Sequence, residues 1–121
     1  MGPRELLRWQ WEGYARYHMT RANLLLHLAT VPVFWAGTVL LAASLLTLRW
    51  PPAASGAACL LVALIAQGRG HKLEPTPPAP FTGPWNFIGR FTLEQWINFP
   101  RFLVSGGWRR NLAAAGKPDR S

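Results

Sequence analysis

Residues 14–48 read YARYHMTRANLLLHLATVPVFWAGTVLLAASLLTL, and the reading of this stretch decides the fold. Within it, Leu24 to Leu48 is a run of 25 residues without a formal charge. At about 1.5 Å per residue, that run can cross a hydrocarbon core about 30 Å thick with some tilt. The stretch also carries Tyr14, His18, Asn23 and His27, and so two of the three histidines in the chain. The third, His71, follows the next apolar run. His27 lies one turn inside the first run, where a polar ring in lipid needs a partner or a function. Pro32 removes a backbone hydrogen bond and tends to kink a helix, here close to His27. Asn23 is placed to cap the start of the run.

On the N-terminal side, residues 3–18 predict an amphipathic helix. Leu7, Trp11, Tyr14 and His18 share one face at helical spacing, and Glu5, Arg8, Glu12 and Arg16 share the opposite one. Pro3 suits a first helical position. Such a helix lies on a membrane surface with its Trp and Tyr at headgroup level.

On the C-terminal side, Arg49-Trp50-Pro51-Pro52 is a turn signal. Ala53 to Ala66 is apolar but short for a span. Continued through Gln67, Gly68 and Arg69 it is adequate. Residues 24–48 and 53–70 are therefore expected as the two arms of a transmembrane hairpin, with a re-entrant second segment as the alternative. Residues 74–84 hold five prolines and form a stiff, extended connector. Residues 85–104 return to helical pattern, with Arg90, Glu94, Asn98 and Arg101 as a polar stripe and a break near Pro100. This predicts a second interfacial helix. Residues 105–121 form a polar, basic tail. The expected fold class is thus an all-α integral membrane protein: a transmembrane helical hairpin flanked by N- and C-terminal amphipathic interfacial helices, in one membrane domain over residues 1–121.

Charge supports that reading. The formal net charge is +8, but the basic residues flank apolar segments and form no stripe suited to nucleic acid. Twelve of the thirteen Lys and Arg lie before the first run or from Arg69 onward, and the hairpin turn holds Arg49 alone. The positive-inside rule then puts both termini in the cytoplasm, as in a bacterial inner-membrane protein. The single cysteine, Cys59, is read as a small buried hydrophobe. No cleavable signal peptide is expected, because the segment before the first run is charged and aromatic and the run itself is too long.

Can the histidines meet? In one continuous helix His18 and His27 lie on opposite sides, since nine residues at about 100° each make a half-turn excess. They converge only if the chain turns between them, and Thr20 to Asn23 is the place for that turn. The hairpin then returns His71 to the side where His27 enters. Glu74 follows His71 at His-x-x-Glu spacing, although Pro75 argues that the helix stops there. Imidazole nitrogen suits zinc, iron, copper or nickel, and three His, or two His and a carboxylate, are a common cradle for non-haem Fe(II). Equally, these residues fit ordinary interfacial histidines bonded to water or backbone.

The pattern Tyr14-x-x-x-His18-x-x-x-x-Asn23-x-x-x-His27, followed by Pro32, Gly70-His71, Glu74 and Pro78-Ala79, resembles the Mpo-like family of small membrane proteins. The resemblance covers roughly residues 10–105. It departs at Thr30, where the family usually has Gly, and after His71, where the chain is shorter, as in a compact bacterial-style branch. The characterised eukaryotic member is an Fe(II)-dependent dioxygenase of the endoplasmic reticulum that removes one carbon from a 2-hydroxy fatty acid in phytosphingosine breakdown. The resemblance implies Fe2+ held by His18, His27 and His71. It implies Asn23 and Glu74 as groups that orient ligands or substrate. Tyr14 could hydrogen-bond within the site, with membrane anchoring as its other role. Arg21, Arg69 and Lys72 are candidates to meet the acyl carboxylate, or serve only as topology markers. The partners implied are the bilayer and a lipid or fatty-acid substrate.

A rival reading has no chemistry: a small membrane anchor or scaffold. Ala42-Ala43-Ser44 and residues 53–58 are small and suit close helix packing, within the hairpin or between copies in a homo-oligomer. A heavy-metal or haem binder would share the histidine ligands without turning over oxygen.

Overall fold

A computed structural model describes residues 1–116 of the chain, and residues 117–121, the end of the polar tail, lie outside the described residues. Helix α1 (Pro3–Tyr14) starts on a proline, whose missing N–H is no loss at a first helical position. It tightens into a 3₁₀ turn over Ala15–Tyr17. His18 then leaves helical geometry at φ −135° and ψ 67°. Thr20 is extended, and its hydroxyl accepts from the Asn23 N–H to cap α2 (Arg21–Thr47). The chain thus turns where the amphipathic pattern stops. The cap is Thr20 rather than Asn23, which sits inside the first turn. Helix α2 continues through Pro32.

Helix α3 (Pro51–Lys72) returns antiparallel to α2. The two are long and apolar enough to cross a membrane. Their backbones approach at Gly37 and Gly56: a Cβ on Gly37 would lie 2.8 Å from the Gly56 carbonyl oxygen, and one on Gly56 would lie 2.7 Å from that of Gly37. Only glycine permits such an approach, which brings the two helices into close van der Waals contact. The small residues at 53–58 include this contact, but its partner is Gly37, not the Ala42–Ser44 cluster.

The second half of the chain covers one end of the hairpin. Helix α4 (Pro84–Leu93) leads into a π-helical turn, Glu94–Asn98, then α5 (Phe99–Val104) and α6 (Gly107–Ala114). Tyr14, Leu24, Val31, Phe99 and Phe102 form the buried core there, with Trp11, Trp35 and Trp108 packed around it. The other end of the hairpin is bare: Leu45, Leu46, Leu61 and Val62 stay exposed.

Two sequence expectations are corrected. The stripe of Arg90, Glu94, Asn98 and Arg101 does not face water as a unit. Glu94 and Asn98 are buried and Arg90 is half-buried, while Trp85, Ile88, Trp96 and Ile97 turn outward. The π turn adds a residue to one turn and so swings the polar positions inward against α1 and α2. Residues 105–121 are not all tail either. The Trp108 indole donates to the Leu24 carbonyl (3.0 Å), and Asn111 donates to the carbonyls of His18 (2.8 Å) and Ala15 (3.0 Å). These bonds fold α6 back onto the turn between α1 and α2.

Candidate metal centre

The three histidines meet at the covered end of the hairpin. Their ring centroids lie 4.7 Å apart for His18–His27, 4.7 Å for His18–His71 and 5.0 Å for His27–His71, and the rings stand near right angles to one another. Backbone carbonyls fix two of them. His18 Nδ1 lies 2.7 Å from the Tyr14 carbonyl and His27 Nδ1 lies 3.0 Å from the Asn23 carbonyl. A carbonyl only accepts, so both Nδ1 atoms carry protons and both Nε2 atoms face the centre.

The carboxylate in that centre is Glu94. One of its oxygens lies 2.9 Å from His27 Nε2 and 3.9 Å from His71 Nε2, and the other lies 3.7 Å from His18 Nε2. Four ligand atoms, one each from His18, His27, His71 and Glu94, lie within 4.8 Å of one another. His27 Nε2 and a carboxylate oxygen face each other at 2.9 Å in a buried site. That contact is repulsive unless a proton or a cation sits between them. His18 Nε2 and His71 Nδ1 are buried with no hydrogen-bond partner among the described residues. These features fit a metal ion: imidazole nitrogens and a carboxylate bond divalent ions at about 2.0–2.2 Å, which draws ligand atoms to within about 3–4 Å of one another.

Glu74 takes a different part. It accepts from the N–H groups of Met19 (2.8 Å) and Thr20 (3.0 Å), the Thr20 hydroxyl (2.9 Å) and the Asn23 carboxamide (2.9 Å). It is an acidic cap lent by another segment to the start of α2, where the helix dipole also favours it. Glu74 and Asn23 thus hold the turn that brings His18 to His27. At Gly70 a Cβ would overlap the Asn23 carboxamide, so glycine beside His71 lets α3 close on that turn. Tyr14 stacks on His18 with ring centroids 3.9 Å apart, and its buried hydroxyl has no hydrogen-bond partner. Burial, and then the charge on Glu94, raise its pKa well above 10.0, so it stays protonated and able to donate.

Beneath the cluster a second polar layer crosses all three segments. Gln67 and Gln95 exchange carboxamide bonds (3.0 and 2.6 Å), and Gln67 also donates to the Thr30 hydroxyl (3.0 Å). The Trp35 indole donates to the Gln95 carbonyl in the π turn (2.8 Å). This layer fixes the residue next to Glu94 against both hairpin arms.

Beside the cluster opens a cleft of about 520 Å³. His18, His71 and Glu94 form its inner end, and Trp9, Leu64, Phe87 and Phe91 are among its apolar walls. Lys72 reaches it, whereas Arg21 and Arg69 do not line it. Sequence reasoning missed Glu94, Gln67 and Gln95. The available signal was a lone carboxylate in a segment rich in Trp, Phe and Ile.

Comparison with curated proteins and with solved structures yields no significant match. A family model, 2-hydroxy-palmitic acid dioxygenase Mpo1-like, matches residues 5–98, which include all three histidines and Glu94. The chain belongs to this family of 2-hydroxy-palmitic acid dioxygenase Mpo1-like proteins.

Proposed function

We propose that this protein is an Fe(II)-dependent membrane dioxygenase that shortens a 2-hydroxy fatty acid by one carbon. The observation that carries the reading is the convergence of His18, His27, His71 and Glu94, whose ligand atoms lie within 4.8 Å of one another around the buried His27–Glu94 contact. A passive anchor has no use for four ligand groups aimed at one another, three of them buried.

His18, His27, His71 and Glu94 would hold the ion, which supplies the dioxygen chemistry that side chains lack. The carbonyls of Tyr14 and Asn23 keep His18 and His27 in the tautomer that offers Nε2. Glu74 keeps the two histidines in register by holding the intervening turn. The Tyr14 hydroxyl, protonated and unpartnered, can donate to an oxygen of the substrate. The aromatic walls of the cleft take the acyl chain and exclude water. The overall change breaks the C1–C2 bond: R–CH(OH)–COOH and O2 give R–COOH, CO2 and H2O. Carbon gives up four electrons and one O2 accepts them.

The membrane setting follows the same logic. About 21 residues separate His27 from Leu48, a rise of about 31 Å, close to the thickness of the hydrocarbon core. With the bare end of the hairpin in lipid, the site sits at the interface, where an acyl tail stays in the bilayer and its head reaches the metal. The basic residues around the site support a cytoplasmic interface.

The test is oxygen uptake by the iron-loaded protein in detergent with 2-hydroxyhexadecanoate. The proposal expects equal consumption of acid and O2, with pentadecanoate and CO2 as products and no turnover of hexadecanoate. Iron-loaded protein that consumes no oxygen with any chain length of 2-hydroxy acid overturns it.

A further inference from the structure

Arg90 lies one turn before Glu94 and lines the same cleft. Its guanidinium donates to the carbonyls of Ala79 (3.0 Å) and Pro80 (3.2 Å) and to the Asn86 carboxamide oxygen (3.5 Å). It stands 4.2 Å from the Phe81 ring centroid and 5.1 Å from that of Trp9. The Gln10 carboxamide donates to the Arg90 main-chain carbonyl (2.8 Å) and ties this turn to α1. The cation is thus packed between two rings and partly out of water, yet every acceptor it uses is neutral. Among the described residues no carboxylate forms an ion pair with it, and Glu94 is engaged by the three imidazoles. A planar guanidinium in such a place gains most from a two-pronged anion. Arg16 and Lys72 line the same cleft, as do Glu12 and Glu94, so with Arg90 it holds three cations and two carboxylates, one of them engaged by the imidazoles.

We infer that Arg90 is the specificity-determining residue of the cleft: it recognises the carboxylate of a single-chain acyl substrate, exchanging the Ala79 and Pro80 carbonyls for it. The inference rests on the reading of the cleft as the substrate site. The chain lies along Leu64, Phe87 and Phe91, and the head is held between Arg90 and the inner end. Arg21 and Arg69, which the sequence offers as carboxylate partners, take no part.

The experiment compares binding of 2-hydroxyhexadecanoate with that of the neutral hexadecane-1,2-diol. Purified protein in neutral detergent is kept anaerobic so that no turnover competes. The wild type should prefer the acid at least tenfold. Arg90→Gln should bring the preference close to one, and Arg90→Lys should retain part of it. Arg109→Gln, an exposed charge on α6, should leave it unchanged. Elemental analysis of Arg90→Gln should show the same metal content as the wild type. The inference is overturned if Arg90→Gln keeps the tenfold preference or if the wild type has none. Absence of oxygen uptake by iron-loaded wild type defeats the dioxygenase reading but leaves an Arg90-dependent acid preference standing, so the two fail separately.

Discussion

Glu94 is buried with 8% exposure and has three imidazoles around it. Replacing it by Gln keeps its size and removes its charge. If Glu94 is a ligand, Glu94→Gln should weaken metal affinity at least tenfold, about 1.4 kcal/mol, as read by competition with a chelator. Unchanged affinity would remove Glu94 from the ligand set. The same side chains make the metal-free protein sensitive to acid. Burial holds His18 well below the ordinary histidine value of 6.5, helped by His27 and His71 and opposed by Glu94. For Glu94 burial works upward, but the His27 and His71 imidazoles outweigh it and hold the carboxyl well below 4.5. In both cases the unfolded chain takes up a proton that the folded chain refuses, so stability rises with pH across each window. The melting temperature of metal-free protein should be flat above about pH 7.5 and fall steadily below about 6.5. A melting temperature that rises on acidification would contradict this arrangement of charges. Metal affinity should fall over the same range, because protons compete for the ligand atoms.

The turn between α1 and α2 and the π turn after α4 are the two elements that build the site. Glu74 serves the first through four donor groups. Glu74→Gln turns one accepting oxygen into a donor facing donors, and it should cost about 1.5–3 kcal/mol in unfolding free energy. Metal affinity should fall with it, because His18 and His27 lose their register. The Gln67–Gln95 pair serves the second. Gln67→Leu alone leaves Gln95 unpaired and should cost about 1–3 kcal/mol, while Gln67→Leu with Gln95→Leu should recover much of that loss. Additive losses in a double-mutant cycle would mean that the two carboxamides do not act as a pair. The first turn is legible in the sequence, because the amphipathic face ends at His18 and the apolar run begins at Leu24. The second is not. A π turn changes the period of one helical turn by a residue, so Arg90, Glu94, Asn98 and Arg101 plot as a single stripe, although only Arg90 and Glu94 line the cleft while Asn98 bonds Gln10 and Arg101 lies over Trp11. Nothing at the level of spacing distinguishes Glu94 from a carboxylate on a wet face. Glu74 was the natural choice because it follows His71 within one turn, but Pro75 ends the helical spacing that would have aimed it at the metal.

At the scale of the whole molecule, a bare apolar hairpin is joined to a polar, aromatic cap. The hairpin is legible as one long uncharged run and one shorter apolar run, which become two helices long and apolar enough to cross a membrane. The cap is less so, since its helices are short and its polar groups face inward, where propensity and periodicity carry little information. The three histidines are what tie the two parts together, one from the turn after α1 and one from each hairpin arm. The central claim is that they exist to hold a metal. The most direct measurement is elemental analysis of protein purified anaerobically in detergent, beside a His18→Ala/His27→Ala/His71→Ala variant whose helical content is checked by circular dichroism. We predict roughly one iron per chain in the wild type and none in a variant that is still helical. Wild-type protein that is folded, takes up no transition metal when iron is supplied, and matches the variant in stability would contradict the account.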